Sequence, residues 1–445
     1  MARWFGSYAW LGGPDLARDV TIEVAAGRVV GVTTGSDPAG ATRLAGVILP
    51  GLVSAHSHAF HRALRGKTHN RGGDFWTWRD QMYAVASRLD PAGFRILAAH
   101  VFAEMLRAGI TTVGEFHYLH HQPDGTPYPE PNAMSHALID AAAETGIRLT
   151  LIDTCYLASA ADGTPVTAEQ RRFSDGSASR WANRVHQLAE TIDTDRLKLG
   201  VAAHSVRAVP AADLPAVAQL ARDLSCPIHI HVSEQRSEND ESLALHGISP
   251  TRLLEETGVL GPSATAVHAT HMVDGDLDVL AASGSTVCLC PTTERDLGDG
   301  IGPAAEFRAA GVPISLGSDS NAVVDLFEEA RAMELDDRLR LEQRGVHAPH
   351  ELMVHATTDG LASLGWGTHT PFGMGAPADF VSLDTDCDPA AGYDHRDGIG
   401  GLLFSSSRGN VRDVVVGGTL VVKAGHNLSG HGPSGLAAEI RRVTS

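Results

Sequence analysis

The chain has 445 residues, 43% hydrophobic and 20% charged, which is ordinary for a water-soluble enzyme and enough for an α/β barrel with a smaller appended domain. No apolar run approaches the ~20 residues that span a membrane, and the start, Met1-Ala2-Arg3-Trp4-Phe5-Gly6, lacks a secretory pattern, so a cytoplasmic protein with no membrane partner is expected. The net charge of −18 disfavours nucleic acid as a partner and obliges any anionic substrate to find a local positive field; with lysine present only at 67, 198 and 423, that field must come from arginine.

In chain order, Val20–Val24 and Val29–Val32 flank a glycine-containing turn and predict a small hairpin. Strand-like runs then alternate with helical patterns. The strands are Val47–Leu49, Thr111–Val113, Arg148–Ile152, Leu199–Ala203, Ile228–Val232, Ala264–His268, Thr286–Leu289 and Ile314–Leu316. Helices are predicted at Phe94–Arg107, Leu214–Leu224, Thr251–Thr257 and Leu277–Ala282, with a longer helical region from Leu326 to about Leu364. Eight strands with crossover helices predict a (β/α)8 TIM-like barrel. β-rich stretches at Asp379–Leu383 and Val414–Gly418 predict a small β-sandwich domain built from both chain ends. The boundaries expected are 1–48 plus 375–445 for that domain and 49–374 for the barrel. The five cysteines, at 155, 226, 288, 290 and 387, are odd in number and sit mostly in apolar runs, so core packing is expected rather than disulfides.

Barrel enzymes build their sites at the C-terminal ends of the strands. The first strand runs into Pro50-Gly51-Leu52-Val53-Ser54-Ala55-His56-Ser57-His58, where His56 and His58 project to one side of an extended chain. The fifth gives His229-Ile230-His231-Val232-Ser233-Glu234. His231 lies nearer the mouth and is assigned as a third ligand, His229 faces the interior below, and Glu234 can turn back as a proton carrier. The sixth ends at His268 and the eighth is followed by Gly317-Ser318-Asp319. Each piece alone is weak: a His-x-His arises by chance about once in such a chain, and an Asp after Leu-Gly-Ser is commonly a helix cap. Three histidines and one carboxylate at the ends of strands one, five and eight together make a plausible zinc site.

This set resembles the cytosine-deaminase-like branch of the amidohydrolase superfamily. Narrower segments are Trp10-Leu11-Gly12-Gly13, His56–Phe60, Phe75-Trp76-Thr77-Trp78-Arg79, Glu115–His121, Ala203–Val209, His229–Gln235, His268–His271, Cys290–Glu294 and Leu297–Ile301. They are similar to the formimidoylglutamate deiminases of histidine degradation. The resemblance implies one Zn2+ per subunit held by His56, His58, His231 and Asp319, although iron or manganese could take the same ligands. It also implies proton handling by Glu234, His268 and Asp319. Many two-metal relatives use a modified lysine after strand four, and none of the three lysines lies there. The implied reaction is hydrolysis of N-formimidoyl-L-glutamate to N-formyl-L-glutamate and ammonia. Arg79 and Arg207 are then the carboxylate-binding forks for a small dicarboxylate, with Tyr118 and His204 as polar partners. The family usually has Gln where this chain has His61, a residue near the substrate whose charge would vary around neutral pH. A homodimer is implied as well.

Two other readings stand beside this one. A deaminase of a purine, pyrimidine or related heterocycle would share every zinc residue but would not need two arginines. A non-catalytic scaffold relative should have lost ligands, and this chain keeps them. For Arg79 a cation stacked on Trp76 or Trp78 is the simpler alternative.

Overall fold

The computed structural model describes residues 1–69, 75–192 and 195–444, without the side chains of residues 75 and 76. Eight strands form a parallel sheet in strict chain order: Leu52–Ser57, Ile110–His117, Arg148–Cys155, Leu197–Ser205, Ile228–Val232, Ala264–His268, Thr286–Leu289 and Ile314–Leu316. Just past the last strand, Asp319 forms a parallel bridge with Ser57 at the end of the first, so the sheet comes round into a nearly closed barrel. Most of these strands are buried along their whole length, as expected of a parallel sheet covered on both faces.

Helices cover the outside. Pro91–Arg107 begins where the Asp90 carboxylate accepts the Gly93 N–H at 2.7 Å, with proline in the first turn. Phe94, Leu97, Ala98, Val101 and Met105 recur at helical spacing on its buried face. The region predicted as one helix from Leu326 to about Leu364 is several pieces: Leu326–Leu341, Pro349–Val354, a π turn at His355–Asp359, and Gly360–Ser363. The break follows from Glu342, which is left-handed at φ 53° and ends the first piece.

A second, mixed sheet takes strands from both ends of the chain. Ala2–Trp10, Leu16–Ala25, Arg28–Thr33 and Val47–Pro50 join Phe380–Leu383, Val411–Val416, Thr419–Lys423 and His426–Asn427. Trp4, Ile22, Ile48 and Phe380 are among the side chains packed in its core. One expectation is corrected here. Val47–Leu49 was read as the first barrel strand, but it pairs antiparallel with Phe380–Leu383 and parallel with Ala2–Trp10. The barrel begins with Leu52–Ser57, after the break at Pro50-Gly51. Gly51 is required there, because a Cβ would lie 2.0 Å from Thr111 Oγ1 on the second barrel strand. Ala2–Trp10 gave no strand signal in the sequence; Trp4 and Phe5 are both buried and break the alternation. Among the described residues, no helix is long and apolar enough to cross a membrane.

Candidate active site

Four metal-type side chains meet at the C-terminal rim of the barrel. His56 lies in the first strand, His58 just beyond it, His231 in the fifth, and Asp319 three residues past the eighth. Their ligand atoms lie within 4.8 Å of one another. His56 Nε2 is 3.2 Å from His58 Nε2 and 3.1 Å from His231 Nε2. The Nε2 atoms of His56 and His58 each stand 3.4 Å from Asp319 Oδ1.

The other ring nitrogens say how these imidazoles are arranged. His58 Nδ1 donates to the Phe116 carbonyl and His231 Nδ1 to the His204 carbonyl, each at 2.9 Å. Those bonds fix the tautomer and leave the Nε2 lone pairs facing the centre. Burial lowers the pKa of His56, His58 and His231, which keeps all three neutral. For Asp319 burial acts upward, but the facing His56, with His268 and His58, pulls its carboxyl below the usual range. Three converging neutral nitrogens and a carboxylate oxygen fit a divalent metal ion such as zinc.

The backbone around this cluster is held in an uncommon conformation. Ser233, His268, Ala269, Asp319 and Asn321 are all left-handed, with φ between 37° and 70°, the kind of strain that collects at functional sites. Asn321 Nδ2 donates to Ser57 Oγ at 3.2 Å, to the His58 carbonyl at 3.1 Å and to the Asp319 carbonyl at 3.3 Å, which ties the turn to the first strand.

His268 faces the cluster from strand six. Its Nε2 stands 3.8 Å from Glu234 Oε1 and 3.9 Å from Asp319 Oδ2, and its Nδ1 is 3.3 Å from Glu294 Oε1. Burial works against its charge, but Glu234, Glu294 and Asp319 outweigh that and raise its pKa well above the usual value. The sequence segment Cys290–Glu294 by itself gives Glu294 no role. Glu294 also accepts the Cys290 N–H at 2.9 Å, so it is fixed by the loop after strand seven. The Cys290 sulfur lies within 4.8 Å of ligand-type atoms of Asp319 and His268; burial pushes its thiol well up, so it stays protonated and packs.

A cavity of about 250 Å3 opens over the cluster. His61, Arg79, Tyr118, His204, Arg207 and Glu234 all line it, together with His268 and the cluster residues His58, His231 and Asp319. His61 Nε2 is 2.7 Å from Tyr118 Oη. The expectation that His61 changes charge near neutral pH is corrected: burial first, then His56 and His204, push its pKa well down, so it is neutral there. Arg207 is paired within the protein, its Nε 2.9 Å from Glu238 Oε2 and its Nη2 3.4 Å from Glu234 Oε2. The Arg79 guanidinium lies 5.7 Å from the Tyr83 ring centre; the Trp76 side chain, offered as a stacking partner, lies outside the described residues. His229 faces the far end of the barrel, 3.2 Å from the Ser363 carbonyl.

A second group, His117, His120 and Asp153, has ligand-type geometry. Arg184 already takes both Asp153 oxygens at 2.8 and 2.9 Å, and Trp181 Nε1 takes one at 2.9 Å, so this group is a buried ion-pair network. Residues that sequence reasoning missed around the cavity are Glu294, Glu238, Tyr83 and Tyr156. Each follows a motif or a strand end by only a few residues or, like Glu294, lies inside a matched segment, but which of them turns toward the cavity is set by tertiary packing.

The amidohydrolase family pattern matches residues 47–421. The chain is 36% identical over 422 residues to formimidoylglutamate deiminase of Pseudomonas aeruginosa, covering 92% of each. It is 26% identical over 420 residues to a 5-methylthioadenosine/S-adenosylhomocysteine deaminase of Halobacterium salinarum, covering 91% of this chain and 88% of the relative. Among solved structures, an amidohydrolase from Brucella melitensis matches with a TM-score of 0.92 and 33% identity over the full length of both chains. An adenosine deaminase from Xanthomonas campestris with bound zinc shares the fold, at a TM-score of 0.86 and 22% identity, covering 99% of this chain and 97% of that one.

Proposed function

This chain belongs to the amidohydrolase family, and on that footing we propose that it hydrolyses N-formimidoyl-L-glutamate to N-formyl-L-glutamate and ammonia, a step of histidine degradation. The observation that carries this reading is the placing of two arginines, Arg79 and Arg207, in the wall of the same cavity that holds the three-histidine, one-aspartate cluster. In a protein of net charge −18, guanidiniums in that wall are the groups that can meet a carboxylate; Arg207 would do so beside its own pairs with Glu238 and Glu234. The 36% identity to a formimidoylglutamate deiminase supports the same substrate.

His56, His58, His231 and Asp319 would hold the metal, which we take to be zinc. Bound there, zinc supplies a hydroxide nucleophile at neutral pH by lowering the pKa of a water to near ~7. The protein's own groups then move protons. Asp319 takes the proton that the attacking water gives up. Glu234 carries a proton to the imine nitrogen, which makes the formimidoyl carbon more electrophilic. His268, charged and held at Nδ1 by Glu294, hydrogen-bonds through Nε2 to the attacking oxygen and steadies its charge as the new C–O bond forms. Asp319 passes its proton to the nitrogen, ammonia leaves as the C–N bond breaks, and the O–H proton of the intermediate goes back to Glu234 as the N-formyl C=O forms.

Ammonia release from N-formimidoyl-L-glutamate by the zinc-loaded protein tests this, with the aspartate analogue and a panel of purines and pyrimidines alongside. Turnover confined to the glutamate compound is expected. Activity on a ring amine, with none on the glutamate compound, would keep the hydrolytic chemistry and overturn the substrate.

A further inference from the structure

Gln170 lies on the long loop after the third barrel strand and is buried. Its Oε1 accepts the Thr167 N–H at 2.9 Å, which settles which way round the amide sits. The Nε2 is therefore on the other side and donates to two phenols, Tyr83 Oη and Tyr156 Oη, each at 3.0 Å. Both amide hydrogens are spent on them, so each phenol oxygen is an acceptor and keeps its own O–H to give elsewhere. Through that shared amide the two phenols are held side by side. Their O–H groups are left to donate to whatever enters the cavity, which both rings line.

The position of this pair is as telling as its polarity. The His204 ring is 5.1 Å from that of His231, and the Tyr156 ring is 4.7 Å from that of His204. Tyr156 thus stands one ring beyond His204 as the cavity runs away from the metal-type cluster. Arg79 is beside Tyr83, and both Arg79 and Arg207 are close enough to Tyr156 to act on its charge. Phenol donors beside Arg79, with Arg207 shared between the cavity and its partners Glu238 and Glu234, suit an anion better than a neutral heterocycle.

We propose that Tyr156 and Tyr83, oriented by Gln170 and flanked by Arg79 and Arg207, form the subsite for the substrate's side-chain carboxylate, the one farther from the reacting carbon. This rests on the dicarboxylate reading above. Tyr156 is a specificity residue that touches the substrate; Gln170 is a positioning residue that directs the phenol protons into the cavity.

The test is binding of two ligands to the zinc-loaded enzyme by calorimetry: N-formyl-L-glutamate, and N-formyl-L-2-aminobutyrate, which lacks only the side-chain carboxylate. Two variants are compared with the parent. Tyr156→Phe removes the donor. Gln170→Glu keeps the shape and the Thr167 bond but turns the donor into an acceptor, so the phenols donate back to it. Each should weaken N-formyl-L-glutamate by about 10- to 100-fold, the loss of one hydrogen bond to a charged group, while the monocarboxylate binds as before. In turnover the change should fall on KM rather than kcat. Unchanged binding of the dicarboxylate, or an equal loss for both ligands, overturns the subsite and leaves the proposed function standing. A parent enzyme that neither prefers the dicarboxylate nor turns over its formimidoyl form overturns both.

Discussion

His56 and Asp319 meet twice: the Asp319 N–H donates to the His56 carbonyl at 3.0 Å, and their side chains face each other, Nε2 to Oδ1, at 3.4 Å. The His58 N–H answers by donating to the Asp319 carbonyl at 2.9 Å. The backbone contacts that bring the last barrel strand round to the first are therefore the same ones that set the first and last metal-type ligands side by side. Closing the barrel and assembling the cluster are one event.

Asp319→Asn separates the two roles. Asparagine tolerates the left-handed backbone at this position, so the backbone contacts should survive while the carboxylate is lost. Zinc content should fall well below one per subunit and turnover should drop by ~10²–10⁴, as for loss of a placed proton acceptor. The melting temperature of the metal-free protein should stay within a few degrees of the parent. Full zinc occupancy in this variant would remove Asp319 from the ligand set.

Glu234→Gln should leave zinc in place, because Glu234 lies outside the four-residue cluster. Turnover should fall by ~10²–10⁴, the range for a positioned proton carrier. Metal analysis and steady-state kinetics on one preparation decide it, and near-normal kcat would take Glu234 out of the mechanism.

Glu294→Gln tests whether His268 works as a charged group. The amide keeps an acceptor for the Cys290 N–H but withdraws one of the negative charges that raise the His268 pKa. The pKa should then fall, so the alkaline limb of the pH–rate profile should move to lower pH. Turnover should drop about 10- to 100-fold, as when an orienting partner of a site imidazole is lost. A profile that stays put would leave Glu294 as a loop anchor only.

Glu115 provides a stability test. Its Oε1 accepts the Ala59 N–H at 2.6 Å, and burial pushes its carboxyl from the usual 4.5 up to about 8. The folded protein thus holds this proton more tightly than the unfolded chain. The stabilisation is complete below about pH 4.5 and is lost as pH rises to about 8. Glu115→Gln, neutral at every pH, should flatten this part of the stability curve by on the order of 1–3 kcal/mol between pH 5 and 8.5. Thermal unfolding at those two pH values measures it, and parallel curves for parent and variant would assign the slope to other groups.

Much of the barrel could be read from the chain, because a parallel strand covered on both faces is a short apolar run wherever it occurs. Ile228–Val232, Ala264–His268, Thr286–Leu289 and Ile314–Leu316 have the bounds expected of them. The same property misled at Val47–Leu49. Two apolar runs separated by Pro50-Gly51 look alike, and which of them enters the barrel depends on partners more than 300 residues away, at Phe380–Leu383. His56, His58, His231 and Asp319 were legible as candidates because their residue types fall where strands end. Glu294 was visible only as part of the segment Cys290–Glu294 and Gln170 not at all, since each acts through a side chain from another part of the chain.

The sequence by itself determined the strand-and-helix alternation, the supply of imidazoles and carboxylate at the strand ends, and the need for arginine in a strongly acidic protein. Those follow from local pattern and composition, which no distant contact alters. Only the tertiary structure decided the rest: that His61 is neutral, that Arg207 is already paired with Glu238 and Glu234, and that Tyr83 and Tyr156 share one amide. Charge state, pairing and proton direction depend on burial and on neighbours in space, and those exist only once the barrel has closed through His56 and Asp319.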